Sequence, residues 1–219
     1  MIKIEKAEVC GWEAAIRGMR NPKNSWDRID SGLTEIIIDN NFEGVDFVIG
    51  PNDADLMRRL CNGGPVHAKF RRMLTVYVDI TAPLYWWKEF DTYKVGTVAN
   101  SCSTMHKIHA QELTLDDFSH EHLDTWSLSM MENLIQWLNA NREKFVETKN
   151  KDAWWQMIQL LPTSYNQKRT IAFNYEVLVG MYRDRKNHKL DEWHTFCDWV
   201  ESLPYSWLIT GKESDNGET

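Results

Sequence analysis

Residues 73–82 read MLTVYVDITA and carry the strongest strand pattern in the chain. The stretch is rich in β-branched residues and ends at Pro83, which cannot donate a hydrogen bond to a neighbouring strand. Proline also suits the first position of a helix, because the amide hydrogen that it lacks has no partner there. The stretch therefore predicts a central strand that leads directly into a helix running through Tyr85, Trp86 and Phe90.

Alternating apolar and polar residues predict further strands in the first half of the chain. These strands lie at 2–9, 33–39 and 45–49, and a turn at 40–44 (Asn-Asn-Phe-Glu-Gly) joins the last two. A short helix at 53–61 follows Pro51-Asn52 and ends at a glycine pair. The first half of the chain is therefore expected to form most of a sheet.

The second half of the chain is expected to be helical. Apolar residues spaced by three and four predict helices at 123–145, 153–161, 168–185 and 190–203. Without a repeat or a linker, the chain is predicted to form one α+β domain over residues 1–210, with a central mixed or antiparallel sheet and a long-helix second half. The polar tail at 211–219 is expected to be disordered.

Composition excludes several classes of protein. The chain has 219 residues and a net charge of −7, which argues against a nucleic-acid binder because such a protein needs a positive surface. No run reaches the roughly 18 apolar residues of a membrane-spanning helix, and residues 1–10 lack the apolar stretch of a signal peptide. The four cysteines are scattered, without a CxxC pair. A cytoplasmic protein with reduced thiols is therefore expected.

Eleven tryptophans are the most unusual feature of the composition. Four of them fall on predicted helices and are expected to lie in the core: Trp126, Trp137, Trp193 and Trp199. Two adjacent pairs are harder to bury, because neighbouring residues on a helix point about 100° apart. These pairs are Trp86-Trp87 and Trp154-Trp155. At least one member of each pair is predicted to line a pocket or a subunit contact.

Small polar residues follow Gly96 and suggest a binding loop. Hydroxyls and an amide beside a glycine allow the backbone to approach a phosphate or carbonyl oxygen, although an ordinary turn explains the same composition. Basic clusters occur at Lys69, Arg71 and Arg72 and at 183–189, where charges near a helix end also favour the helix dipole. His106 and His109 lie one helical turn apart and His120 and His122 form an HxH pair, but neither pair has a matching set of further ligands, so no metal is expected.

Two segments resemble the flavin-dependent thymidylate synthases. In that family a strand is followed by an aromatic helix and then by the motif R-H-R-x-x-S-x-N-E-x-S-x-R-Y. Here the strand of residues 73–82 is followed by LYWWKEF at 84–90 and TYKVGTVANSCSTM at 92–105. The second segment, 161–193, resembles the family's C-terminal helix. The match as a whole, which also includes His67 ahead of the strand, covers roughly residues 55–200 in the family's order, with a minority of positions identical.

The resemblance assigns candidate binding residues by position. His67, Lys94, Asn100, Asn174 and His188 correspond to positions that bind the flavin cofactor in the family. The family's substrate positions correspond to Glu89, Ser103 and Arg185. No catalytic residue is assigned, because in the family the cofactor supplies the reactive chemistry and the protein positions flat molecules against one another.

Several motif positions depart from the family. Arg-His-Arg is replaced by Thr92-Tyr93-Lys94, the motif glutamate by Ser101, and the closing Arg-Tyr by Thr104-Met105. The glutamine of the helix before the motif is Glu89, and the arginine after the helix asparagine is Glu176. Each lost charge-assisted contact typically costs about 1.5–3 kcal/mol. Arg71, Arg72 and Lys94 are the cations that could compensate.

The resemblance implies an activity, and the departures leave an alternative. The implied activity is reductive methylation of dUMP to dTMP with FAD, using methylenetetrahydrofolate and NADPH as co-substrates, in a cytoplasmic homotetramer whose active sites lie between subunits. The alternative is a homologue that keeps the fold as a nucleotide-binding, regulatory or interaction protein without the reaction. The sequence leaves both open, together with a third interpretation in which the resemblance is accidental and the chain is a helical interaction domain.

Overall fold

The central strand of the fold is β4 (Thr75–Pro83). A computed structural model describes residues 2–38 and 41–212. In it, β4 pairs with β1 (Lys3–Cys10) on one side and β6 (Asn166–Asn174) on the other, and β5 (Val98–Ser101) pairs with β6 at the sheet edge. All three pairings are antiparallel, which confirms the predicted sheet type and the central position of residues 73–82. Pro83 ends the strand, and the helix begins one residue later than predicted.

The remaining elements surround this sheet. A separate hairpin consists of β2 (Gly32–Ile38) and β3 (Asn41–Val48), so β3 begins inside the stretch predicted as the 40–44 turn, and residues 39–40 lie outside the described residues. The helices of the described chain are α1 (Trp12–Arg20), α2 (Pro51–Asn62), α3 (Leu84–Phe90), α4 (Thr104–Lys107), α5 (Thr125–Thr148), α6 (Lys151–Leu160), α7 (Tyr175–Arg185), α8 (Asp191–Glu201) and α9 (Trp207–Thr210).

The prediction of a helix at 168–185 is wrong for residues 168–174, which belong to strand β6. Ile171 and Phe173 are buried with the period of two that a strand requires. Arg169 takes an inward position as well, because its guanidinium stacks 4.2 Å from the Trp87 ring centre and pairs with Asp91 at 2.7 Å. Because this inward position is occupied by a charged residue, the alternation of apolar and polar residues that is typical of a strand is not visible in the sequence. Asn174 then begins α7 by accepting a hydrogen bond from the amide of Val177 (3.1 Å).

Both members of the Trp86-Trp87 pair are fully buried, so the prediction that one of them lines a pocket or a subunit contact is wrong. The two side chains do diverge around α3, but the same chain covers both directions. Trp86 packs against Trp193 of α8, with ring centres 4.7 Å apart. Trp87 faces β6, where its Nε1 donates to the carbonyl of Gln167 (2.9 Å).

The described residues form two hydrophobic cores. The large core contains Trp86, Trp87 and Trp193 and packs against the sheet, and a second, smaller core lies under α5. Ile135 and Leu138 of α5 pack with Met157 of α6 and with residues of the preceding loops. Trp126 and Trp137 are 77% and 55% exposed, so the prediction that they lie in the core is wrong. They lie on a different side of α5 from the buried residues, although their spacing is equally regular.

Three other predictions concern the remaining tryptophans and the limits of the domain. Trp193 is fully buried and Trp199 packs against the large core, as expected. Trp155 is exposed while Trp154 is partly buried, which leaves the prediction for this pair as a prediction. The single domain over 1–210 also stays a prediction, and residues 213–219 of the polar tail lie outside the described residues.

Candidate functional site

A cluster of polar and aromatic side chains forms where α3, α7 and α8 meet. Arg185, near the end of α7, donates from Nη1 to Glu89 Oε2 (2.7 Å) and from Nε to the hydroxyl of Tyr93 (2.9 Å). Its guanidinium carbon lies 4.7 Å from the Trp193 ring centre, and His188 Nε2 lies 3.2 Å from Glu89 Oε2. We call these five residues the arginine cluster. It brings together three of the predicted binding residues: Glu89, Arg185 and His188.

Glu89 is the centre of the arginine cluster, because one carboxylate oxygen faces donors from three directions. Arg185, His188 and the Nε1 of Trp193 (3.2 Å) all approach Oε2. The backbone amide of Leu190 donates to His188 Nδ1 (3.2 Å), and this bond assigns the proton to Nε2, which faces the carboxylate. Arg185 is therefore held with its charge compensated and only 16% of its side chain exposed.

One edge of the Arg185 guanidinium makes no hydrogen bond to the described residues. Nε and Nη1 are engaged, and no residue of the described chain accepts a hydrogen bond from Nη2. The planar guanidinium is fixed on two sides by protein and stacked on an aromatic ring, which preorganises its remaining donors. The arginine cluster can thus present a positioned cationic donor to a carbonyl or an anionic oxygen.

A groove of about 580 Å³ opens beside the arginine cluster and shares Tyr93 with it. We call it the glycine groove, and its lining residues are Arg72, Thr92, Tyr93, Lys94, Val95, Gly96, Asn174, Glu176, Val177, Gly180 and Asp184. Gly96 has a φ of +79°, and a Cβ there would lie 3.0 Å from Val177. A Cβ on Gly180 would meet nothing within 4 Å, so this turn of α7 exposes its backbone to the groove.

The charges of the glycine groove favour an anion. Its two carboxylates are compensated from outside: Glu176 pairs with Arg71 at 2.8 Å, and Asp184 pairs with Arg183 at 2.9 Å. Arg72 and Lys94 make no ion pair within the described chain. Arg71 is buried and also donates to the carbonyl of Leu208 (3.1 Å), so it supports the fold and cannot replace a lost ligand contact.

Helices α3 and α8 are tied together behind the arginine cluster by a second polar contact. The hydroxyl of Tyr85 donates to Glu192, which is buried. Burial, followed by the nearby Glu192 carboxylate, raises the pKa of Tyr85, so the hydroxyl stays protonated. This contact fixes the spacing of the helices that carry Glu89 and Trp193.

Solved structures with this arrangement of elements identify the fold, although no family model and no curated protein sequence matches the chain. The flavin-dependent thymidylate synthase ThyX from Helicobacter pylori, complexed with FAD and dUMP, matches with a TM-score of 0.65 and 16% identity, over 95% of this chain and 98% of that one. The chain has the flavin-dependent thymidylate synthase fold. The UMP/dUMP methylase PolB from Streptomyces cacaoi, bound with 5-Br dUMP, matches with a TM-score of 0.59 and 11% identity, over 94% and 92% of the two chains.

The remaining predicted residues are distributed unevenly over this thymidylate synthase fold. Lys94 and Asn174 line the glycine groove, where the Asn174 side chain also caps α7. Asn100 lies exposed on β5 opposite Thr170, and Ser103 caps α4 by accepting from the amide of His106 (3.2 Å). His67 is exposed near Gly63, beyond the end of α2. These last three residues belong neither to the arginine cluster nor to the glycine groove.

Sequence reasoning missed three residues of the site. Tyr93 replaces a family histidine, which in the sequence is only a departure from the motif, yet it links the arginine cluster to the glycine groove. Trp193 was assigned to the core, where it lies, but its Nε1 also donates to Glu89. Gly180 could have been found from the sequence, because a glycine inside a helix costs about 1 kcal/mol relative to alanine and so needs a reason.

Among the described residues, no group of three or more His, Cys, Asp or Glu side chains could hold a metal ion. No described helix is long and apolar enough to cross a membrane.

Proposed function

We propose that the chain binds FAD and dUMP and catalyses the reductive methylation of dUMP. The observation that carries the proposal is the glycine groove, with two unpaired cations, opening beside a fixed arginine in a fold whose solved examples hold FAD and dUMP. Methylenetetrahydrofolate is the proposed carbon donor, and NADPH the proposed source of electrons. A bound flavin would supply the hydride.

The residues of the glycine groove fit these ligands chemically. Gly96 and Gly180 expose backbone that a flat ring or a pyrophosphate can approach closely. Lys94 and Arg72 would pair with phosphate oxygens, because both are exposed and no carboxylate of the described residues forms an ion pair with either. Asn174 and His188 are proposed to hold the flavin from the α7 side.

The substrate would be held by the arginine cluster. Arg185 is proposed to donate from its free edge to a uracil carbonyl, and Glu89 keeps that edge in place through the Nη1 contact. The protein's own contribution is then binding, orientation and a fixed donor, without a nucleophile. Ser103 is assigned to the same substrate.

We also propose that the protein is a homotetramer. Trp126, Met130 and Trp137 lie within about 40° of one another around α5 and form an exposed apolar stripe, which we call the α5 stripe. Large aromatic residues exposed together are typical of contact surfaces. His67, Asn100 and Ser103, which lie away from the glycine groove, would then contribute to sites completed by another copy.

Light scattering coupled to gel filtration tests the assembly. Trp137→Lys is expected to shift the tetramer to smaller species, because a charge at the centre of the α5 stripe opposes its burial. Trp26→Lys is the matched control, since Trp26 is also exposed but lies outside α5. A wild-type monomer would overturn the proposal.

A cytoplasmic location is proposed as well, supported by four free cysteines.

Two measurements on purified protein test the function. The first is the visible spectrum after incubation with FAD and gel filtration, in which retained flavin absorbance is expected. The second is formation of dTMP from dUMP, methylenetetrahydrofolate and NADPH. Arg185→Gln should lower the dUMP affinity about tenfold or more, because it removes a charge-assisted contact. Lys189→Gln is the control, an exposed cation just beyond the same helix.

The outcomes separate the proposed reaction from its alternative. Binding of dUMP with flavin retained but without dTMP would favour a nucleotide-binding homologue that lost the reaction. The compensation of Arg185 by Glu89 is the observation that supports this alternative. If neither FAD nor dUMP binds, the reaction and the nucleotide-binding alternative are both wrong, and of the alternative only a regulatory or interaction protein is left.

A further inference from the structure

We propose that a second cavity of this chain binds a planar aromatic molecule that carries a carboxylate or phosphate group. This cavity, which we call the aromatic cavity, shares no lining residue with the glycine groove. It has a volume of about 870 Å³, within the range typical of small-molecule sites. Its walls come from the hairpin strand β3, the helices α1 and α2, and residues 201–212.

Four aromatic side chains line the aromatic cavity: Trp12, Phe47, Tyr205 and Trp207. Trp12 and Phe47 are stacked, with ring centres 6.1 Å apart and planes 14° from parallel. Tyr205 meets the Trp12 ring edge-on at 5.2 Å. The three contacting rings form an aromatic wall, and such a wall attracts a flat ring by dispersion and by ring–ring contact.

The wall is fixed by its own hydrogen bonds. The Tyr205 hydroxyl accepts from the amide of Ile49 (2.9 Å) and donates to the carbonyl of Phe47 (3.1 Å), which ties the C-terminal segment to the hairpin. Tyr205 has a φ of +52°, a strained conformation for a residue with a bulky side chain. The surrounding contacts hold this strain, and the result is a preorganised surface.

Arg58 supplies the specificity for an anion. Four charged residues line the aromatic cavity, and three of them are engaged: Lys212 with Glu201 at 2.6 Å, and Asp46 with the amide of Phe47 at 2.7 Å. Arg58 contacts only the Trp207 ring, 4.8 Å from its centre, and has no carboxylate within 4.0 Å in the described chain. Its nitrogen donors therefore remain for a ligand.

The Arg58 guanidinium beside the aromatic wall favours a ligand that carries both an anionic group and a flat ring. The fork of donors matches a carboxylate or a phosphate, while Trp207 and Phe47 offer apolar ring surface. An anion alone would lose the ring contact, and a neutral ring would lose the charge-assisted hydrogen bonds. The ligand class that satisfies both is a nucleotide or an aryl carboxylate.

Isothermal titration of the full chain tests the proposal with two probes, AMP and 1-naphthoate, which represent the two sources of this chemistry. Adenosine and inorganic phosphate each lack one of the two groups and should bind at least tenfold more weakly than AMP. Arg58→Gln should weaken the better probe about tenfold or more, and Trp207→Leu should weaken it as well. Arg59→Gln is the control, because Arg59 lies beside Arg58 on α2 but pairs with Asp55.

The variants also separate this site from the proposed enzyme site. Lys94→Gln removes a cation of the glycine groove and should leave naphthoate binding unchanged. Naphthoate decides this comparison, because the glycine groove is itself proposed to bind nucleotide phosphates and AMP can bind there as well. The proposal is overturned if neither probe binds at millimolar concentration, if Arg59→Gln weakens binding as much as Arg58→Gln, or if only Lys94→Gln weakens it. Loss of dUMP binding by itself would contradict the proposed function and leave the aromatic cavity unaffected.

Discussion

The large core against β4 is aromatic and closed, whereas the small core under α5 is mainly aliphatic and leaves tryptophan in solvent. In the large core, α3 lies between β6 and α8, so both members of an adjacent tryptophan pair find cover within the chain. In the small core, only one side of α5 is covered. A helix tryptophan is therefore buried in the core where protein covers both sides of its helix. Where only one side of the helix is covered, a tryptophan on the other side stays exposed and is available to contact another molecule.

The largest expected effect is the loss of a ring from the closed core. Trp86→Ala should lower the free energy of unfolding by about 3–5 kcal/mol, because it removes contacts with Trp87, Phe90 and Trp193 and leaves a cavity. Urea denaturation measures the difference.

Trp126→Ala on the open side of α5 is the comparison for that variant. Under conditions in which the protein is monomeric, it should change the free energy of unfolding by less than about 0.5 kcal/mol. Equal losses from the two variants would show that the two cores do not differ in closure.

The second effect concerns the buried ion pair beside the large core. Asp53 accepts from Arg20 Nε (2.6 Å), from the Ser31 hydroxyl (2.7 Å) and from two backbone amides. Asp53→Asn leaves the Arg20 guanidinium buried without its counter-ion and should cost about 3 kcal/mol at pH 7.

The loss should depend on pH. Burial raises the pKa of Asp53, but the hydrogen bonds from Ser31 and Arg20 and the Arg20 charge outweigh it and lower the pKa in the folded state. The stabilisation is therefore complete above the unfolded value of about 4 and is lost as the pH falls through the folded value. The two proteins should converge in stability once the pH lies below the folded value, and a constant difference would contradict the assignment to Asp53.

The small core has a neutral counterpart to this ion pair. Asn139 of α5 accepts from the amide of Leu113 (2.9 Å) and donates to its carbonyl (2.8 Å), closing the loop over the core. Asn139→Ala should cost about 2 kcal/mol at roughly 1 kcal/mol per hydrogen bond, with no pH dependence between about pH 3 and 7. Asn133→Ala, on the exposed side of α5, is the control and should change little.

Sequence patterns predicted the elements that bury apolar residues on one face and expose polar residues on the other. They failed where a charged residue faces inward or an aromatic residue faces the solvent. Strand β4 alternates with Val76, Val78 and Ile80 buried, so its period is visible. Strand β6 is hidden because Arg169 is folded inward over Trp87. The period of α5 was visible, but periodicity gives a spacing and not the direction of the core.

The candidate site was predictable from position and less so from chemistry. The structure brings Glu89, Arg185 and His188, which the resemblance assigns to binding, into one cluster, and their roles in binding stay a prediction. The resemblance could not show that Glu89 neutralises Arg185, because such a contact joins residues 96 positions apart. Nor could it show that Arg71 forms an ion pair with Glu176, because the sequence does not reveal which charged residues are paired inside the fold.

The smallest expected effect concerns Gly180, where the glycine groove opens beside the large core. Gly180→Ala should raise the free energy of unfolding by about 0.5–1 kcal/mol, because alanine favours the helix and its Cβ meets nothing within 4 Å. Gly18→Ala in α1 is the matched control, where the Cβ lies 3.1 Å from the Met73 sulfur and the gain should be smaller. If thermal unfolding shows the gain while dUMP titration shows weaker binding, Gly180 keeps the groove accessible at the expense of stability. If binding is unchanged, the glycine has no role in the groove, and the opening beside the closed core is only a gap in its packing.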